Sequence, residues 1–551
     1  MIAGPSGDQP LEYENKDSEE LAAKRLMKVP AYFGDHNGQL FGWYHPAPTP
    51  RMRDCGVVLC HTIGDDVVLQ VLTAASIAAI DRRAGWMTPL VAIEHDGLAQ
   101  GRAVQSAHRA TKRRIEIHLS FTYSWTGLIG VVLFLSVACV FYICPVHYLS
   151  DGGFSLLMDE AIIHEWTPDM ITYKPPRSHG GIYINGGYPW NIEIIKGRLL
   201  CVYPWGSSLL SLPVVALFNA AGFRVAPHHK YNGYDELRMQ AIIATGLCAI
   251  TIWVVYEAAC YLLPLPWSLM VALGAAFGTS VWSSASRSLW PQTWAVLLTT
   301  IAIWILLSGS IRPLLLATVL AWSCLVRPQV IPDVVAITGY VLIRYERRFF
   351  WRYVATGAFW TIPICAMMVF FTGGFFSALY DPGMLDFPHQ FWRRLSGVLL
   401  SPSRGFLVFS PVALVPLYLI IRYWKVLPER RLAILALVII VMHLLMLSSW
   451  IAWWGGGSYG PRLLLEAVPW FVLLAILGIR AFVEDHSLSV RRRLVMGSIA
   501  ALALAASSAT NAPGALAANS IGWRDLDDQH LGALWDWHDP QFLCWILRPQ
   551  N

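Results

Sequence analysis

The chain is poor in charge. Of its 551 residues only 14% are Asp, Glu, Lys or Arg, against 55% hydrophobic, and the mean hydropathy is +0.47. A soluble protein of this length carries more ionisable surface than that, so a soluble class is excluded and a polytopic membrane protein remains. The net charge of +5 is small, and the basic residues fall in short clusters instead of a stripe, which argues against nucleic acid as a partner. The ten cysteines form no C-x-x-C and no Cys/His ligand spacing, so no metal, redox centre or other cofactor is expected. Cys201 and Cys544 are the two expected outside the cytoplasm, and nothing in the sequence requires them to pair. Residues 1–28 are polar and acidic, without the apolar core of a secretory signal, which leaves insertion to the first span.

What the chain has in abundance is apolar runs of crossing length. The first, residues 121–146, holds 26 residues without a charged side chain, and about 20 suffice to cross the hydrocarbon core. Cytoplasmic loops are enriched in Lys and Arg. Arg109, Lys112, Arg113 and Arg114 before the first run therefore place the N-terminus inside. The clusters at 344–352, 422–431 and 490–493 are expected inside as well. That constraint holds only if residues 207–223 lie along the membrane surface within one long external loop, 146–236. About eleven spans are then expected between 121 and 510, the second over 237–262.

With this topology the unusual polar stretches share the external face: DGGFSLLMDE from 151, KGRLLCVYPWG from 196, WSSASRSLWPQT from 282, SPSRG from 401 and WWGGGSYGPR from 453. Arg287, Arg404 and Arg462 lie on the side that should be poor in positive charge. Each alone is as well explained by snorkelling to lipid headgroups; three together in Gly-, Ser- and Trp-rich segments point to a shared anionic ligand. A lipid-linked phosphate suits guanidinium forks. Asp151 at the cavity mouth is placed to take a proton from a hydroxyl attacking an anomeric carbon while cations hold the departing phosphate. Its bland alternative is a cap on the helix that follows, and the two roles are compatible. Asp159, Glu160 and Glu165 are spaced as a solvated helix face. Tyr203 fits an interfacial aromatic belt as readily as a sugar contact, and Trp454 and Tyr459 flank a glycine loop where stacking on a sugar or prenyl chain is plausible. Arg327 and Glu466, near span ends, are suited to pairing with one another, and His443 to packing within a helix.

The order of an acid after the first span, then YPWGSSLLSLP, FGTSVWSSASRSLWPQTWA, LVRP, SPSRGFLVFSPV, WWGGGSYGPRLLLEAVPW and LWDWHDPQFL resembles the GT-C glycosyltransferase superfamily. More narrowly it is similar to bacterial family-39-like transferases related to the lipid A aminoarabinose transferases and protein mannosyltransferases. The resemblance covers roughly residues 120 to 545. It implies an all-α, GT-C-like membrane fold (116–511) whose long first external loop carries juxtamembrane helices, and an external tail (512–551). It further implies a polyprenyl-phosphate sugar donor, inversion at the anomeric carbon, an envelope acceptor and an inner-membrane location with the site on the external face. By position Asp151 matches the catalytic acid, and Arg287 and Gln292 fall where the second external loop approaches the site. The chain departs from the pattern there, since SSASRSLWPQT carries none of the acids common in relatives. Residues 1–115 form a separate small α/β-like appendage. YFGDHNGQLFGWYHPAP alternates like a strand pair and CGVVLCHTIGDD reads as a buried parallel strand, similar to the opening of an alpha/beta hydrolase. Its catalytic G-x-S-x-G turn is missing. A lipid-linked glycan flippase, or an O-antigen ligase or polymerase, is the alternative for the membrane part. A flippase would place ionisable groups deep within several spans.

Overall fold

The computed structural model describes four strands before residue 73 and then residues 126–175, 183–184, 187–309, 311–374, 382–387, 389–524 and 531–547. The chain divides into two compact units, Met1–Ile117 and His118–Asn551.

In the first unit β1 (Val29–Phe33) and β2 (Leu40–Tyr44) pair antiparallel, β3 (Val57–Ile63) and β4 (Asp66–Leu72) pair antiparallel, and β2 meets β4 in parallel. The sheet order is β1-β2-β4-β3, so β3 is an edge strand paired antiparallel, and not the parallel strand expected for it. Only Gly64 and Asp65 separate β3 from β4 in sequence, and parallel neighbours need a far longer crossover. The remainder of 1–115, with the basic residues from Arg109 to Arg114, lies outside the described residues.

The second unit is helical. The uncharged first run forms α1 (Thr126–Ile143). The loop after it holds α2 (Ser155–Glu165), the hairpin of β5 (Ile192–Ile195) with β6 (Arg198–Cys201), and α3 (Gly206–Ala220). Next comes α4 (Gly233–Cys260), whose N-cap Asn232 accepts a hydrogen bond from the Tyr234 amide and whose first turn carries Asp235 and Glu236, the arrangement that favours a helix start. Four short apolar helices follow: α5 (Leu265–Phe277), α6 (Pro291–Leu307), α7 (Pro313–Val326) and α8 (Ile331–Arg344). Beyond them lie α9 (Arg347–Thr372), α10 (Phe391–Leu400), α11 (Leu414–Tyr423), α12 (Arg430–Ser449), α13 (Val468–Glu484) and α14 (Val490–Leu516).

Six helical segments of the described residues are long and apolar enough to cross a membrane: α1, α4, α9, α12, the segment Arg462–Glu484 containing α13, and α14. The protein is thus an all-α membrane protein in this unit, with six such spans where the hydropathy pattern suggests about eleven. The difference has a local cause. Pro264, Pro291, Pro313 and Pro328 stand at or just before helix starts and divide the apolar sequence from 265 to 344 into pieces. The 13 residues of α5 reach only about 20 Å, short of a hydrocarbon core of about 30 Å.

Of the six, α4 and Arg462–Glu484 are the most buried, and α9 and α14 show most of their apolar surface outward, as helices bordering lipid do. A polar cluster ties the middle together. Asp333 on α8 accepts hydrogen bonds from His443 Nε2 on α12 at 2.9 Å, Trp470 Nε1 on α13 at 3.0 Å and Thr299 Oγ1 on α6 at 3.2 Å. His443 is therefore more than packing: it donates to a buried carboxylate across three neighbouring helices, with each carboxylate oxygen satisfied.

Candidate functional site

The segment from α1 to α2 turns sharply over YLSDGGF, and its carbonyls are held from several directions. Asn191 Nδ2 donates to the carbonyls of Ser150 and Gly153, both at 3.2 Å, and Gln240 Nε2 from α4 donates to that of Gly152 at 2.6 Å. Gly152 is required by close approach, because a Cβ there would meet the Leu289 carbonyl oxygen. Asp151 is thereby fixed in the turn between α1 and α2, 8% exposed. It makes no cap on α2, whose N-cap is Phe154 without a side-chain hydrogen bond.

Across the bundle, the glycine loop after α12 brings Arg462 to the same place. Its Nη1 donates to Asp151 Oδ2 at 2.5 Å, its Nη2 to the Gly455 carbonyl at 3.1 Å, and its guanidinium lies 3.8 Å from the centroid of the Trp290 ring. A buried ion pair stacked on an aromatic face results. Arg404 is buried beside it. Its Nε donates to the Trp454 carbonyl at 2.8 Å, its Nη2 to that of Gly456 at 2.9 Å, and its Nη1 to the Ser403 carbonyl at 2.7 Å and to Gln541 Oε1. Burial, and then the nearby charge of Arg462, hold the Arg404 pKa below its ordinary value. Arg287 is fully buried and donates to the carbonyls of Phe141 at 2.6 Å and Val146 at 3.4 Å and to Ser286 Oγ, so it fastens the end of α1. Among the described residues neither Arg287 nor Arg404 has a carboxylate within ion-pair distance, and the carboxylate of Asp151 pairs with Arg462.

Two clefts meet at this pair. One is lined by Asp151, Gly152, Asn191, Tyr203, Ser207 and Pro291, the other by Arg404, Trp453, Trp454, Gly460 and Arg462. Each is narrow, with about 10 Å³ of free space, roughly one water. Tyr203 lines the first cleft and Trp454 the second. Tyr459 does not line either cleft. It is fully buried, its hydroxyl donates to the Thr510 carbonyl at 2.6 Å, and its ring packs edge-on against Phe409, so it fastens the loop to α14. Gln292 sits at the start of α6, where its side-chain oxygen, with the amide turned to satisfy both partners, accepts from Arg327 at 2.8 and 3.0 Å. Arg327 also pairs with Glu466, one turn beyond Arg462 on the same segment.

Two features escape the sequence reading. Tyr148, three residues before Asp151, keeps a buried hydroxyl without a hydrogen-bond partner, its ring edge-on to Trp290 at 5.8 Å. Its pKa is pushed up by burial, and it lies within electrostatic reach of Arg462, Asp151, Arg287 and Arg404 alike. The signal was its place in YLSDGG. The second is a buried acidic cluster behind the turn. Asp159 and Glu160 are not a solvated face: both are buried, at 0% and 1% exposure. The α2 helix is covered by α3 and by the segment leading into α4. Glu160 accepts from the Val225 amide at 2.9 Å and from Asn219 Nδ2 at 3.0 Å. Glu236 accepts from the Tyr231 hydroxyl at 2.6 Å and from Gln240 Nε2 at 3.0 Å. Asp159 has no partner for either oxygen, and burial, then Glu236 and Glu160, raise its pKa well above the usual carboxylate range.

No group of three or more His, Cys, Asp or Glu side chains among the described residues is arranged to hold a metal ion, and the side chains of Cys201 and Cys544 are both buried. The surplus of buried positive charge beside one carboxylate is the arrangement's chemical content: it can hold an anion next to a proton acceptor. No known family model matches the chain, and no curated protein matches it.

Proposed function

We propose that the protein is a glycosyltransferase of the bacterial inner membrane that moves a sugar from a polyprenyl-phosphate carrier to an acceptor in the cell envelope, acting on the external face. The observation that carries this reading is the pairing of the single carboxylate of Asp151 with the buried guanidinium of Arg462, beside a second buried guanidinium, Arg404, that has no carboxylate partner among the described residues. A buried cation without a counter-charge is costly, and a phosphate brought in by a lipid relieves that cost.

The residues divide the work by position. A donor phosphate reaching Arg462 and Arg404 competes with Asp151 for the Arg462 guanidinium and so frees the carboxylate. Asp151 then takes the proton from the acceptor hydroxyl as that oxygen bonds to the anomeric carbon. The bond from that carbon to the phosphate oxygen breaks, its electron pair leaves with the polyprenyl phosphate, and the added negative charge is met by the arginines. Attack opposite the leaving group inverts the anomeric carbon. Tyr203 and Trp454, one lining each cleft, are the side chains that border the sugar or the prenyl chain. The orientation follows from charge: α9, α12 and α14 begin at the basic clusters, while the ends of α1 and α12 and the starts of α4 and Arg462–Glu484 gather at the Asp151 side.

The test is incubation of the purified protein in lipid with labelled polyprenyl-phosphate sugars and an envelope extract. The reading predicts release of free polyprenyl phosphate together with transfer of label to an acceptor. Transport of intact donor across the bilayer without release would favour a flippase. The Asp333–His443 pair is the feature that such a reading would draw on, although every hydrogen bond that the carboxylate of Asp333 makes is internal to the bundle.

A further inference from the structure

The C-terminal tail contributes one side chain that touches both halves of the arginine pair's support. Gln541 is 1% exposed and follows Pro540 in a short turn. Its Oε1 accepts from the Gly460 amide at 3.0 Å and from Arg404 Nη1, and its Nε2 donates to the carbonyls of Ser520 at 2.9 Å and Ser458 at 3.2 Å. The amide orientation is fixed by these neighbours, since the oxygen faces two donors and the nitrogen two acceptors. All four hydrogen-bonding positions of the amide are filled. Its backbone amide also reaches Ser403 Oγ at 3.4 Å, next to Arg404.

The consequence lies in what Gln541 holds. Gly460 stands with φ +58, a left-handed conformation that favours glycine, and its carbonyl accepts from the Arg462 amide at 2.9 Å. One amide oxygen therefore fixes the residue that sets the course of the chain into Arg462 and, at the same time, the guanidinium of Arg404. These two cations repel each other. A neutral acceptor between their supports keeps both in place without cancelling the charge that an anion would seek. A carboxylate at this position would neutralise Arg404, and an apolar side chain would leave it short of one acceptor.

We infer that Gln541 is a positioning residue for lipid-phosphate recognition: it spaces Arg404 and Arg462 and leaves both charged, so that the tail beyond α14 is part of the binding site. This rests on the reading of those arginines as phosphate-binding. Gln541 touches neither Asp151 nor the space beside it, so its effect is expected on phosphate affinity before turnover.

The experiment measures binding of farnesyl phosphate to the full-length protein in detergent by tryptophan fluorescence, for wild type, Gln541→Leu and Gln541→Glu, with thermal melting of each. Wild type binds; Gln541→Leu binds about tenfold more weakly, the scale of one lost hydrogen bond to a charged group. Gln541→Glu, which retains acceptors for Arg404 and Gly460, binds more weakly still even where its melting temperature is the higher of the two. A merely structural tie predicts the reverse order, with affinity following melting temperature, and that order overturns the inference. Equal binding by all three proteins also overturns it while leaving the phosphate reading intact. No binding by wild type overturns both.

Discussion

Two aspartates of one loop have opposite surroundings. Asp151 is 8% exposed and answers to Arg462 at 2.5 Å, whereas Asp159, on α2, is 0% exposed with neither oxygen hydrogen-bonded and with Glu236 and Glu160 for neighbours. Sequence proximity gave no hint of this. The paired acid is held by a cation that a ligand can claim. The unpaired acid holds its proton more tightly, first because burial disfavours its charge and then because Glu236 and Glu160 lie beside it. An acid that can be released is suited to proton transfer; one buried on a helix without a partner is suited to packing.

The comparison is broken most severely by exchanging each acid for its amide. Asp151→Asn is expected to lower transfer by about 10²–10⁴-fold, the range of a lost general base, while Asp159→Asn retains most of the activity; labelled-donor turnover checks both. Next in size, Arg462→Leu should turn Asp151 into a second Asp159. Removing one partner of a buried pair costs about 3–5 kcal/mol, read as a lowered unfolding midpoint, and Arg462→Leu together with Asp151→Asn should recover part of it.

Asp159 sharpens the contrast through pH. Its folded pKa lies above its unfolded value, so the folded state binds the proton more tightly. The penalty is absent below the unfolded pKa near 4 and grows as pH rises toward the folded pKa. Asp159→Asn should therefore match wild type in melting temperature near pH 4 and exceed it at pH 8. A difference of the opposite sign would mean that Asp159 is charged and paired. The smallest effect is expected from Tyr148→Phe, which removes an unpartnered hydroxyl. Stability should be unchanged or slightly raised, since a buried polar group without a partner is lost, and any fall in donor affinity would place that hydroxyl on the ligand.

The membrane class was legible from composition, and Asp151 and Arg462 were legible as candidates because charge at a span end is unusual in so apolar a chain. Their pairing was not, since 311 residues separate them. The number of spans was misjudged over 265–344, where prolines separate α5 to α8 into pieces that have the hydropathy of a span without its length. Burial of Asp159 and Glu160 depends on α3 and the start of α4 folding back over α2, and periodicity within α2 carries no trace of its cover. Arg287 and Arg404 were legible as unusual, but not as side chains whose hydrogen bonds go largely to carbonyls. Gln541 offered only a polar residue after Asp-Pro, and its role exists solely in the contacts it makes.

The most direct test of the account is a titration of the purified protein with farnesyl phosphate and, in parallel, with farnesol, following tryptophan fluorescence at low and high salt. Saturable binding of the phosphate alone, weakened by salt, is the result predicted by the buried guanidiniums of Arg462 and Arg404 beside one carboxylate. Equal binding of the alcohol, insensitive to salt, would show an apolar groove and contradict a phosphate site at Arg462.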